Sequence, residues 1–299
     1  MIFKKAIFCL CVIISLTGCD RYFGHELTLD DVTFNEYSGT IEKLNSDEYT
    51  NIIIPRQLDS ITVRNIKRFA FANKGLTKVE IPNSVTNIGD LAFVDNALTD
   101  LIIPDSVNHI GESAFAKNKI THLELPDSVM SIGGYAFYNN NLTDIRIPNS
   151  ITVIREFAFS DNSISELVIP SSVLTIRGAA FARNALSELI IPDSVTSIGG
   201  FAFDSNKLTD VVIPDSLTVL NWNIFSNNRL ESVKIANSVK HIAGMAFDNN
   251  NLLQVTIPNS VITIGENAFT NNKLKSVFIP KSVTEITKSS FDSEVKITR

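Results

Sequence analysis

The sequence predicts a mainly β solenoid, built from turns of 22 residues, with few or no regular helices. Three observations predict it. Prolines stand at Pro82, Pro104, Pro126, Pro148, Pro170, Pro192, Pro214, Pro258 and Pro280, and the one gap in that series falls at Ala236. Eleven phenylalanines keep the same interval, from Phe71 and Phe93 through Phe269 to Phe291. No stretch is long enough or periodic enough at 3.6 residues to be a regular helix. A period of this length without slippage marks a stack of identical turns. One turn cannot enclose its own apolar stripe, so neighbouring copies must bury it in a common core.

Each segment of the unit follows from its local period. Asp100-Leu101-Ile102-Ile103 alternates in and out and stops at Pro104, which has no N–H to give a ladder. It is the expected main strand, and its stacked copies are expected to form a long parallel sheet. Val107–Ile110 is a shorter extended piece on the opposite wall, and Gly111–Phe115 a tight turn. Serine stands two residues after each proline position (Ser84, Ser106, Ser128), and asparagine three residues after Phe93, Phe115, Phe137 and Phe159. Backbone groups buried between turns need partners. Short side chains repeated in register are therefore expected to bond adjacent rungs and not a ligand. About ten turns, on the order of 50 Å of stack, are expected at the usual strand spacing.

The ends of the chain break the period. Lys4 and Lys5 precede an apolar run, Ala6 to Leu16, that is too short to span a bilayer. It ends in Leu16-Thr17-Gly18-Cys19, which resembles a bacterial lipobox. In such signals the peptide is cut before the cysteine and the thiol is lipidated, which makes residues 1–19 a lipoprotein signal and Cys19 the lipidation site. The alternatives are an ordinary signal peptide or a short buried helix. Cys9 and Cys11 would leave with the signal, so the mature chain would hold no disulfide. Loss of Lys4 and Lys5 leaves 24 basic against 32 acidic residues, a net charge of about −8 instead of −6. That balance argues against a nucleic-acid partner or an anionic-membrane surface.

Residues 20–54 are expected to form a tether, Asp20–Glu26, followed by a β cap. The cap is a hairpin of Val32-Thr33-Phe34 and Thr40-Ile41-Glu42, then a strand at Asn51–Ile54. The solenoid follows over 55–299. Pro55 to Phe71 is five residues longer than the equivalent span elsewhere, so the first full turn carries an insertion. At the other end, Val295 and Ile297 are expected to be the last inward pair, with Lys296 and Arg299 blunting the open edge. Asp292, beyond the last complete turn, is expected to be nearly dispensable.

The run IPDSVTSIGGFAFDSNKLTDVVIP (191–214) carries the form L-x-x-L-x-I-P-x-x-V-x-x-I-G-x-x-A-F. This resembles the BspA-like class of bacterial leucine-rich repeats, and the resemblance covers Ile54 to Phe291, about four-fifths of the chain. It departs at Leu220-Asn221-Trp222-Asn223-Ile224-Phe225, which lacks the usual Gly and Ala, and at Ala236. The resemblance implies a leucine-rich-repeat solenoid at the cell surface or secreted, working in adhesion and protein binding without catalysis or cofactor. Its partner would be a protein, such as a host or extracellular-matrix protein. With the lipid anchor, the chain would be extracytoplasmic, either surface exposed or periplasmic. A structural or scaffolding envelope lipoprotein and a carbohydrate-binding module are the alternatives.

No catalytic constellation stands in the sequence. His109 and His241 share a repeat position but lie six turns apart, about 29 Å at ~4.8 Å per rung, and cannot share a metal. What varies is the outward face. Four residues before the prolines stand Asp100, Asp144, Glu166, Glu188 and Asp210, and two residues before them Ile102, Val168, Ile190 and Val212. Like charges stacked at one-rung spacing repel, so the fold gains nothing from the acids. An apolar row edged by carboxylates is the pattern of a protein-binding face. Solubility and strand propensity account for the same residues equally well. A second candidate is the aromatic set Tyr135, Phe157 and Phe201, with Trp222 one position earlier in its unit and Tyr138 nearby. These could stack on sugars or anchor a partner, or pack on one another.

Overall fold

The computed structural model describes residues 24–299, and among them there is no helix. About twelve turns stack into a single β solenoid. The stack is longer than the repeat pattern implies because the N-terminal segment also supplies rungs. His25–Glu26 pairs in parallel with Ile52–Ile53, and Asn51–Ile53 pairs with Lys78–Glu80. The segment expected to be tether through Glu26 thus already belongs to the wall at His25.

The interior is one column of phenylalanine. Phe71 to Phe269 are all at most 1% exposed, and consecutive rings stack with centroids 4.9–5.8 Å apart. Around it lie the inward aliphatics of both walls, such as Leu101, Ile103, Val107 and Ile110. The polar columns bond the rungs as their register requires. Ser106, Ser128, Ser150, Ser172, Ser194, Ser216 and Ser238 each donate to the carbonyl 21 residues earlier at 2.5–2.9 Å. Asn118 accepts the Leu98 N–H at 3.1 Å and donates to the carbonyls of Phe93 and Phe115. His109 and His241 bond Ser131 and Thr263 on the next rung, at 2.6 and 3.0 Å.

The expected long sheet is divided. Beyond the three-stranded sheet at the N-terminal end, the three-residue strands pair two by two: 100–102 with 122–124, 144–146 with 166–168, and 210–212 with 232–234. Glu188–Ile190, between the last two pairs, has no ladder partner on either side. The longer ladders run down the opposite wall, where the two-residue strands form sheets of six, three and four, the first completed by two longer strands of the N-terminal segment.

Breaks in that second wall have a cause in the sequence. The position after the short strand is glycine on five rungs, at Gly89, Gly111, Gly133, Gly199 and Gly265. A Cβ at Gly111, Gly133 or Gly199 would lie 2.4 Å from a backbone nitrogen of the preceding rung. At two of the three places where a side chain first follows a glycine rung, Arg155 and Asn221, no bond forms from the backbone N–H to the carbonyl of Ile132 or Ile198, and the ladder ends there; at the third, Thr287, Thr263–Ile264 still pairs with Glu285–Ile286. Asn221 Nδ2 donates to the Ile198 carbonyl instead, at 2.6 Å. At the Arg155 break an apolar seam too narrow for water opens between Ile132 and Val153.

Both ends are built from strands. Val32–Asn35 and Thr40–Leu44 form an antiparallel hairpin with a bulge at Thr33/Phe34, and Thr40–Ile41 then pairs in parallel with Asn65–Ile66. The inserted residues make a small hairpin, Gln57–Leu58 with Ile61–Thr62, whose tip residues Asp59 and Ser60 have φ of 45° and 65°. At the far end Lys296–Thr298 pairs with Ser276–Phe278. Val295 is buried, but Ile297 is 48% exposed. It stands in the inward register opposite Val277, yet no further rung covers it. The expected inward pair is therefore a single buried residue.

Candidate partner-binding face

The outward side of the three-residue wall is set by strand alternation. The middle residue points into the core, as Leu101 and Val211 do at 2% exposure, and its two neighbours point to solvent. Asp144, Glu166, Glu188 and Asp210 are all exposed on this side. Backbone registers place Asp144 opposite Glu166 and Asp210 opposite Ser232. Two residues along lie Val168, Ile190 and Val212 on three consecutive turns, 64%, 84% and 58% exposed. Ile102 on an earlier turn and Phe278 on a later one are exposed in the same column, at 76% and 59%.

On two other turns of this wall the charges are matched within a strand. Lys78 pairs with Glu80 at 2.9 Å, and His122 with Glu124 at 3.5 Å. On turns 166 to 212 the second position is aliphatic, and among the described residues Glu166, Glu188 and Asp210 make no ion pair. Uncompensated acids and unburied aliphatics thus coincide on three consecutive turns here, as they do on a single turn at Asp100 and Ile102. Arg146 and Lys234 bound this stretch at its two ends.

The aromatic set divides. Tyr135 and Phe157 stack on each other at 4.6 Å and 8°, with Tyr138 edge-on to Tyr135 at 5.7 Å. Phe201 and Trp222 are exposed, at 47% and 52%. A Cβ on Gly244 would meet the Trp222 ring at 2.2 Å, so the indole lies directly on that glycine. The turn holds these residues in a costly conformation. Tyr135, Phe157 and Phe201 have φ of 58°, 54° and 61°, a left-handed backbone that disfavours bulky side chains by about 1–2 kcal/mol. Bonds to the next rung hold them there, from Tyr135 N–H to the Glu156 carbonyl and from Phe157 N–H to the Gly178 carbonyl.

One edge of the solenoid carries polar groups that the repeat pattern did not single out. Asp204 accepts from Ser226 Oγ at 2.5 Å and from Asn227 Nδ2 at 2.8 Å, and Asp248 accepts likewise from Thr270 and Asn271. Asp161 receives both arms of Arg183, at 2.6 and 2.5 Å. Partial burial raises the Asp161 carboxyl, but the hydrogen bonds from Arg183 and Ser160 and the guanidinium charge outweigh it and hold the group below its ordinary value. A carboxyl depressed on folding stabilises above its unfolded value, and that stability is lost as pH falls through the folded one. Asp161→Asn is expected to cost about 0.5–1 kcal/mol at pH 7, because the pair is partly exposed. The difference from wild type should shrink below pH 3.8, the ordinary value. Urea unfolding at several pH values checks this, and a pH-independent difference would remove the ion pair as its cause.

Among the described residues no group of three or more His, Cys, Asp or Glu could hold a metal ion. No helix among them is long and apolar enough to cross a membrane. Cys19 lies outside the described residues.

A stack of 22-residue turns, with a strand and a corner of fixed length on each turn, defines a leucine-rich-repeat scaffold. The chain belongs to the family of BspA-type leucine-rich-repeat regions, whose family model matches residues 64–187 and 174–298. No curated protein matches it. Among solved structures it is similar to a leucine-rich cell-surface protein of Faecalibacterium prausnitzii, with 23% identity, a TM-score of 0.58, and 88% of this chain and 84% of that one covered. A leucine-rich-repeat protein of Bacteroides ovatus is similar at 20% identity and a TM-score of 0.59, covering 93% and 92%. The pneumococcal vaccine antigen PcpA is similar at 19% identity and 0.58, covering 87% and 81%. At these identities the likeness is one of fold.

Proposed function

We propose that this chain is an extracytoplasmic lipoprotein that binds a protein partner through the outward face of its three-residue wall. Asp144, Glu166, Glu188, Asp210, Val168, Ile190 and Val212 form the contact surface. The observation that carries the reading is the coincidence of three unpaired acids with three exposed aliphatics on consecutive turns. Neither set is needed to hold the stack, and together they supply an apolar centre with a charged rim. In this reading residues 1–19 are a lipoprotein signal, Cys19 carries the lipid, residues 20–54 form tether and cap, and the protein serves in adhesion at the surface or within the envelope. The description of one structural neighbour as a cell-surface protein supports that setting.

Two experiments test it. Glu166→Lys, Glu188→Lys and Asp210→Lys together should lower association of the protein with its partner by at least about tenfold. Thermal stability should hold or rise, since the acid column repels itself. The paired control, Glu112→Lys with Glu266→Lys at exposed turn positions, should bind as wild type does. Undiminished adhesion of the triple variant would move the contact off this face. For the anchor, Cys19→Ser should shift the chain from the membrane to the soluble fraction and abolish lipid labelling. Labelling that persists in the variant would end the lipoprotein reading.

A further inference from the structure

We propose that the segment bound on this face is a basic amphipathic α-helix lying along the solenoid axis, with one cation and one apolar residue presented on each turn. The inference rests on the strand-face reading above and adds the partner's shape and chemistry to it. Its basis is a match of spacings. The acids and aliphatics repeat once per rung, and a ladder rung advances about 4.8 Å. The phenylalanine rings of the same turns are 5.6–5.8 Å apart between centroids, from Phe159 through Phe225. One step along the face is therefore bracketed between ladder and ring spacing. An α-helix rises 5.4 Å per turn, inside that bracket. Over the three steps from Asp144 to Asp210 the face advances about 14–17 Å, and three helical turns advance about 16 Å.

An extended partner fits less well. Its same-side residues recur about every 6.6–6.8 Å, so three steps reach about 20 Å and the pairing falls out of step by most of a rung. Width agrees as well. Glu188 and Ile190 are two residues apart on one extended segment, about 7 Å, and a helix about 10 Å across covers both columns at once. A helix with lysine or arginine at i, i+4, i+7 and i+11 and an apolar residue directly after each presents two adjacent stripes, which is the pattern the two columns require. The charges select the sign, because Glu166, Glu188 and Asp210 have no cation of their own to displace. The apolar row ends where Arg146 and Lys234 take its place, which limits the helix to about three or four turns.

The test uses the full-length chain and two synthetic peptides of identical composition, rich in Lys, Leu and Ala. One carries Lys at i, i+4, i+7 and i+11 with Leu after each, and the other alternates Lys and Leu at period two. Fluorescence anisotropy should give the helical pattern at least about tenfold tighter binding. Its affinity should fall with added salt, and peptide helicity by circular dichroism should rise on binding. The affinity should be lost in the Glu166→Lys, Glu188→Lys, Asp210→Lys variant and reduced in Ile190→Asp, with neither variant melting below wild type. Equal or tighter binding of the alternating peptide would overturn the helix and leave the face in place. Failure of both peptides to bind would also overturn the helix. Helical-peptide binding undiminished in both variants would place the contact elsewhere and sink the face itself.

Discussion

Phe181→Ala is expected to destabilise the protein by about 3–5 kcal/mol, the range for removing a fully buried aromatic ring. Phe181 is 0% exposed, and its ring lies between those of Phe159 and Phe203 at 5.6 and 5.8 Å. The surroundings have little freedom to close the gap. Phe181 N–H donates to the Ala202 carbonyl, and the Ala180 carbonyl accepts from Phe159 N–H. Its own carbonyl takes the amide groups of Asn184 and Asn206. A rung tied on both sides cannot slide inward without breaking those bonds, so the cost should fall in the upper half of the range. Loss of one mid-stack ring also weakens both interfaces of its turn, and in a solenoid those interfaces carry the cooperativity. Denaturant unfolding of the variant is therefore expected to broaden or to split into two transitions. Lys288→Ala, at an exposed position, should change stability by less than about 0.5 kcal/mol. Similar losses from the two variants would contradict the ring column as the core. Asp292, which the repeat pattern marks as dispensable, is not a suitable control. Its carboxylate accepts the backbone N–H groups of Asn271 and Asn272 at 2.9 and 3.3 Å, and removing it should cost about 1 kcal/mol.

The parts of the fold that read directly from sequence are those repeated on every rung. Phe93, Asn118 and Ser128 each face copies of themselves 22 residues away, so their role follows from the interval alone. The outward columns were legible for the same reason: once Leu101 and Val211 are placed inside, Asp100 and Val212 can only lie outside. Features that depend on how one rung meets the next were not legible. Arg155 is plainly not glycine, but its effect on the ladder depends on how closely the rungs approach at this position, where a Cβ on Gly133 of the rung before would lie 2.4 Å from a backbone nitrogen, a distance no pattern records. Tyr135 and Phe157 read locally as strand formers, yet each occupies a left-handed position because inter-rung bonds override local preference. A signal for such turns did exist four residues on. Asn139, Asp161, Asn227 and Asn249 are also left-handed, and Asn and Asp tolerate that conformation best. The unpaired Glu188–Ile190 segment had no signal of this kind, since its sequence repeats that of paired rungs.

Asn206→Ala is expected to cost about 3–4 kcal/mol, close to the loss of a core ring although a polar side chain is removed. Asn206 is 7% exposed. Its Oδ1 accepts the N–H of Leu186 at 3.0 Å, and its Nδ2 donates to the carbonyls of Phe181, Phe203 and Asp204 at 3.0–3.2 Å. The two Phe carbonyls keep a second donor, Asn184 or Asn228, after the substitution. Leu186 N–H does not, and a buried donor left without a partner costs about 1–3 kcal/mol. Loss of the donated bonds adds about 0.5–1.5 kcal/mol each, reduced where a second donor remains. Asn206→Asp separates the two halves of the role. It keeps the acceptor for Leu186 N–H but aims a carboxylate at three carbonyl oxygens, so at pH 7 it should destabilise at least as much as alanine. Lowering the pH enough to protonate the introduced carboxylate should recover part of the loss, because the acid form can donate one bond. Chemical unfolding of the three proteins at two pH values decides the matter. An aspartate variant as stable as wild type at pH 7 would mean that the donated bonds to Phe181 and Phe203 do not hold the rungs together.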